Sequence, residues 1–81
     1  MMFIHHYPIP DHSKGGQRYM AAFKRQDPKK IAEIRKWCYT TYGEPGYQVN
    51  NAEIRWIDDV SAGEVVFNRE SDLMMFLLRW Q

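Results

Sequence analysis

Two short punctuation marks, Asp27-Pro28 and Gly43-Glu44-Pro45, constrain this chain more than anything else in it. An Asp before a first-turn Pro opens a helix: its carboxylate accepts from backbone N–H groups that have no helical partner, and Pro has no such N–H to satisfy. Gly43 supplies the C′ residue, and Pro45 forbids a restart. Between them Ile31, Ile34, Cys38 and Tyr42 recur at helical spacing, with Trp37 and Thr41 beside them, so the sequence predicts a helix over 28–42. In a chain of 81 residues this central helix leaves flanks too short for cores of their own, and one domain over 1–81 follows.

The flanks read mostly as strands. Met2 to Tyr7 is aromatic and β-branched, with Pro8 and Pro10 expected to end it. Residues 11–16 have turn composition. Gln17 to Lys24 reads as a second strand, although its Met and Ala would also serve a turn of helix. Glu44 to Asn51 is a loop. Glu53–Asp58 and Glu64–Phe67 form a hairpin about the turn at 59–63. Asn68 is placed to cap a last helix whose Glu70, Asp72 and Arg79 complement its dipole. The order β-β-α-β-β-α implies an α+β fold: a small antiparallel sheet of three or four strands with both helices on one face.

Hydrophobic residues make up 44% of the chain and aromatics 15%, which is globular rather than disordered composition. A core this small contributes only a few kcal/mol, and partners or oligomerisation often supplement such cores. No stretch approaches the roughly 20 apolar residues of a membrane span. The start, Met1 to His6, lacks the basic region and cleavage site of a secretory signal. A lone cysteine, Cys38, excludes an intramolecular disulfide, so a cytoplasmic location is expected.

The net charge of +1 conceals a split. Residues 14–36 carry Lys14, Arg18, Lys24, Arg25, Lys29, Lys30, Arg35 and Lys36 against Asp27 and Glu33, a net of +6. Residues 37–81 carry a net of −4. This balance excludes a basic packaging protein and an acidic nucleic-acid mimic; a dipolar binding protein remains.

No constellation for catalysis stands out. Cys38 falls on the inner stripe of the first helix, where free cysteine acts as a small hydrophobe. The acids sit in turns and helix starts rather than in pairs. His5 and His6 point to opposite faces of a strand, and with His12 and Cys38 they do not make the three or four converging ligands of a zinc site. The expectation is a non-enzyme with no cofactor and no metal.

Binding signals are clearer. In the last helix Leu73, Phe76, Leu77 and Trp80 fill one face and Met74, Met75 and Leu78 another, more than the single stripe a half-exposed helix needs. Met74, Met75, Leu78 and Trp80 are therefore candidates for docking on a protein partner or a second copy. Lys29, Lys30 and Lys36 on the first helix would steer the chain to an acidic surface. A different class of function, recognition of a phosphate-bearing ligand such as nucleic acid or a nucleotide, would use Lys14, Gly15, Gly16 and Arg18, whose Gly-Gly loop resembles an anion nest without matching the Walker pattern, together with the basic helix.

The end of the chain, Phe67-Asn68-Arg69-Glu70-Ser71-Asp72-Leu73-Met74-Met75-Phe76-Leu77-Leu78-Arg79-Trp80, resembles the ends of short uncharacterised proteins of tailed bacteriophages, which close on an acidic helix start and Phe-x-Leu-(Arg/Lys)-Trp. The helix end Trp37-Cys38-Tyr39-x-x-Tyr42-Gly43 fits the same likeness. The resemblance covers about the last half of the chain and carries no catalytic motif. It implies a phage accessory protein, working in the cytoplasm of an infected cell by occupying a host or defence protein, as an inhibitor does, or by joining a phage assembly.

Overall fold

A computed structural model describes residues 2–11, 16–46 and 54–81. The elements run β1 (Ile4–Asp11), β2 (Gly16–Phe23), α1 (Pro28–Tyr42), β3 (Trp56–Asp59), a 3₁₀ turn (Val60–Ala62), β4 (Glu64–Phe67) and α2 (Glu70–Trp80). The four strands form one antiparallel sheet in the order β1-β2-β4-β3. Each half of the chain is thus a hairpin followed by a helix, and the second strands of the two hairpins meet at the sheet's centre.

Strand alternation divides the sheet into two faces. Ile4, Tyr19, Ala21, Phe23, Val65, Phe67 and Trp56 share one face by register. Ile34, Cys38 and Tyr42 of α1 and Leu73, Phe76 and Trp80 of α2 join that face in a single buried cluster. Both helices therefore cover the same side. Aromatic rings dominate the cluster: Phe67 lies 5.1 Å from Tyr42 and 5.6 Å from Phe76, and Trp37 meets Trp80 edge-on at 6.1 Å. Such pairs add about 0.5–1.5 kcal/mol each beyond the area they bury.

The predicted start of α1 forms as expected, with the Asp27 carboxylate accepting from Lys30 N at 2.9 Å. Gly43 ends the helix at φ +88°, donating to Tyr39 O at 3.0 Å and accepting from Trp56 Nε1 at 2.9 Å. Its carbonyl thereby satisfies the buried indole of β3. Residues 17–23 are strand rather than helix.

Three boundaries differ from the sequence reading. β1 passes through Pro8 and Pro10 to Asp11 instead of stopping before them. It is an edge strand, so a missing N–H need not interrupt a ladder on its outer side. β3 begins at Trp56, not at Glu53; residue 53 lies outside the described residues, and Ile54 and Arg55 precede the strand. Asn68 does not cap α2. Its N–H is held by Arg55 O at 2.9 Å, carrying the β4 pairing one residue further, so Arg69 occupies the cap position without a side-chain bond.

A cluster of polar groups ties α2 to the rest. The Asp72 carboxylate, almost wholly buried, accepts from Arg55 Nε at 2.9 Å and Nη2 at 3.1 Å. Tyr42 Oη donates to the Asp72 carbonyl at 2.8 Å, and the Arg55 guanidinium lies 5.3 Å from the Tyr42 ring centre. Donating to the Asp72 carboxylate holds the Arg55 guanidinium above its usual pKa. Burial pushes the Tyr42 phenol well above its ordinary value, with the Cys38 and Asp72 charges adding to it and Arg55 opposing. On the far side of the core, Arg35 Nε donates to Asp58 Oδ2 at 2.7 Å, and Asp58 Oδ1 accepts from Val60 N at 3.1 Å to fix the 3₁₀ turn.

Candidate functional site

α2 complements its dipole with Glu70, Asp72 and Arg79, yet only part of its apolar surface is used by the core. Leu73, Phe76 and Trp80 recur at three and four residues and face the sheet. Met74, Met75 and Leu78 recur the same way on the opposite side. They are 49%, 42% and 86% exposed. Of the four α2 residues expected to dock, three are therefore on the surface. Trp80 is the correction: at 4% exposure it belongs to the core face, sharing the spacing of Leu73 and Phe76.

Met74 and Leu78 border two adjoining hollows, and Met75 lies outside both. One, of about 440 Å³, lies between β1 and α2 and is lined by His6, Met74, Leu77, Leu78 and Gln81. The second, of about 370 Å³, wraps the end of α2 and is lined by Met2, Gln26, Lys30, Leu78, Arg79, Trp80 and Gln81. Leu78 and Gln81 belong to both, so an apolar groove runs into a basic end.

That basic end is assembled by tertiary contact. Lys30 Nζ stands 5.0 Å from the centre of the Trp80 ring, and Arg79 Cζ stands 4.2 Å from the same ring. Lys30 also reaches Glu33 at 3.4 Å. Among the described residues no carboxylate pairs with Arg79. Lys29 is exposed beside Lys30 in the first turn of α1, which contains no acid. The positive end of the α1 dipole is met by the Asp27 cap alone, and the two lysines follow it after Pro28. Lys36 is exposed further along α1 and lines neither hollow.

The residues of the phosphate alternative are not assembled around this surface. Lys14 and Gly15 lie outside the described residues, as does His12. Gly16 opens β2. Arg18 is 1% exposed and sits on the sheet face away from the helices, so its guanidinium is not offered to a dissolved ligand beside Lys29 and Lys30. His5 and His6 are exposed on opposite faces of β1, and among the described residues no three His, Cys, Asp or Glu side chains gather closely enough to hold a metal ion. Cys38 is fully buried, and desolvation with the nearby Asp58 charge pushes its thiol up to about 12, so it is not a thiolate at neutral pH. No described helix is long and apolar enough to cross a membrane.

Sequence reasoning missed His6, Gln26, Arg79 and Gln81 as lining residues. Arg79 was legible only as a dipole complement in the last turn of α2. Nothing in the neighbourhood of Gln26 or His6 marks either as part of a surface, because the helix they border is distant in sequence. Compared with family models, with curated proteins and with solved structures, the chain matches none.

Proposed function

We propose that this chain is a non-catalytic binding protein that docks on a partner protein through the outward face of α2, with the basic start of α1 guiding the approach. One observation carries the reading. Leu78 is 86% exposed on a helix whose opposite face already supplies the core, and Met74 and Met75 extend the same stripe. A single exposed Leu needs no explanation, but a row of large apolar side chains bordering a groove is the signature of an interface. Methionines suit it because their flexible thioethers adapt to a facing surface. On the likeness of the C-terminal segment to phage accessory proteins, the partner would be a host or defence protein or a component of a phage assembly.

Site-specific photocrosslinking tests this. A benzoylphenylalanine at position 75 should yield a discrete adduct in cells that contain the partner, and Leu78→Asp should abolish the adduct while leaving the thermal melt of the chain unchanged. No adduct from positions 74, 75 and 78, or an adduct indifferent to Leu78→Asp, would sink the proposal.

A further inference from the structure

We infer that the groove of α2 takes a partner segment that is both apolar and acidic: an apolar side chain seated among His6, Met74, Leu77 and Leu78, with carboxylates on Lys30 and Arg79. This rests on the docking reading above and adds the chemistry of the partner. The two hollows adjoin, both being lined by Leu78 and Gln81, so one short segment could reach both. Their linings differ in character. The first presents thioether and leucine side chains, and the second presents two cations and the amides of Gln26 and Gln81.

Charge complementarity selects the acidic occupant. Lys30 and Arg79 converge on one indole ring, although two like charges so placed repel each other. Among the described residues Glu33 is the one acid in an ion pair with either of them, reaching Lys30 at 3.4 Å with its own side chain 59% exposed, while Asp27 is engaged with the Lys30 backbone N–H. Lys29 adds a third positive charge, and Lys24 and Arg25 lead into the same helix start, exposed and outside the described ion pairs. The second position after the Asp27 cap, and the third, hold Lys29 and Lys30 where Glu would complement the helix dipole. Beyond the single Asp27 cap and Glu33, the chain thus keeps Lys29, Lys30 and Arg79 as an excess of positive charge, and a carboxylate arriving from outside would be bound by that excess.

The test uses the full chain and short fluorescein-labelled peptides, each carrying a leucine pair flanked by glutamates, by glutamines or by lysines. Polarisation titrations should rank glutamate over glutamine over lysine, with the preference shrinking as salt rises. Lys30→Glu combined with Arg79→Glu should weaken the glutamate peptide roughly tenfold and leave the glutamine peptide near its original affinity. These two changes act on the helix dipoles in opposite senses, so a thermal melt close to that of the parent is expected and confirms that the site, not the fold, was altered. Leu78→Asp should weaken every leucine peptide roughly thirtyfold. The inference is overturned if the three peptides bind alike, if none binds, or if the double charge reversal changes nothing. It is equally overturned if the chain binds phosphatidylserine vesicles or a single-stranded oligonucleotide in a Lys30- and Arg79-dependent way while ignoring the glutamate peptide. Any of these results leaves the photocrosslink at position 75 as the separate judge of docking itself.

Discussion

Asp72 is the residue whose removal should cost the fold most per atom deleted. Its carboxylate is 4% exposed and makes two charge-assisted bonds to Arg55, at 2.9 and 3.1 Å, which fasten α2 to the strand region that precedes β3. A hydrogen bond to a charged group contributes about 1.5–3 kcal/mol when both partners are buried. The Arg55 side chain is 42% exposed, so water screens part of this, and a combined value near 2 kcal/mol is the reasonable figure for the pair. Asp72 also stands in the first turn of α2, where its charge adds about 0.5 kcal/mol through the dipole. Asp72→Ala is therefore expected to destabilise by about 2–3 kcal/mol. A domain of this size rarely has more than about 3–5 kcal/mol to lose. The melting temperature should fall by roughly 10–20 °C. The assay is urea unfolding followed by tryptophan fluorescence, run as a cycle with Arg55→Met, which keeps the aliphatic stem against Tyr42. The cycle should show a coupling of about 1–2 kcal/mol, because each single change strands the other's charge. Additive effects, or an Asp72→Ala midpoint within about 0.5 kcal/mol of the parent, would refute the reasoning.

The two faces of α2 make opposite predictions: Leu78→Ala should change stability by less than about 0.5 kcal/mol, whereas Leu73→Ala, one turn away and buried, should cost about 2–5 kcal/mol in the same unfolding assay. Gly63→Ala should destabilise by about 2 kcal/mol or more, since φ is +86° there and a Cβ would lie 2.4 Å from the Phe23 carbonyl oxygen, which a melt compared with that of Gly43→Ala, at φ +88° but with open space around it, will separate from the φ penalty alone. Cys38 should resist a thiol reagent at pH 8 until the chain unfolds. Its thiol has a folded pKa of about 12 against an ordinary 9.0, so the unfolded chain loses its proton first and stability should decline as pH climbs from 9 toward 12, more shallowly in Cys38→Ala; a flat alkaline profile for the parent would count against this burial.

What could be read in advance was what local chemistry decides. The start of α1 needs only Asp27, Pro28 and the N–H of Lys30, all within four residues, and its end needs only a glycine able to adopt positive φ. The hairpin of β3 and β4 is similarly short-range. The misreadings occurred where position in the sheet overrules the residue. Pro8 and Pro10 break a strand in the middle of a sheet and are harmless on its edge, and edge position depends on where the distant β4 pairs. Asn68 has the chemistry of a cap, but its backbone continues the β4 pairing with Arg55, so α2 opens one residue later with Arg69 at the cap.

The candidate surface divides along the same line. Met74, Met75 and Leu78 were legible as a second apolar stripe because helix periodicity is local. Trp80 was grouped by spacing with Leu73, Phe76 and Leu77, yet was also counted among the docking residues, and its burial leaves it with the core. Asp72 was legible as a dipole partner; its bond to Arg55, seventeen residues earlier, was not. The meeting of Lys30 with Arg79 over Trp80 joins the start of one helix to the end of the other, and no periodicity connects residues so far apart.

The departures from what stability alone would choose are not scattered over the molecule. Elsewhere the fold satisfies its polar groups closely: Asp58 takes both Arg35 and the Val60 N–H, Asp72 takes both donors of Arg55, and Gly43 O takes the Trp56 indole. At the end of α2 the same chain leaves Leu78 in water, puts two lysines in the positive first turn of α1, stacks two cations on one ring, and gives the buried Trp80 N–H no acceptor among the described residues. A polar residue at 78 would serve the isolated fold at least as well, whereas Lys30 is also held by its Glu33 pair and the Trp80 ring. Sequences that are locally consistent almost everywhere break their rules where something outside the fold is being accommodated. On the proposed docking function, a partner seated at this end of α2 would give these features a common reason, since the Glu33 pair and the Trp80 ring hold the cations but leave Leu78 in water.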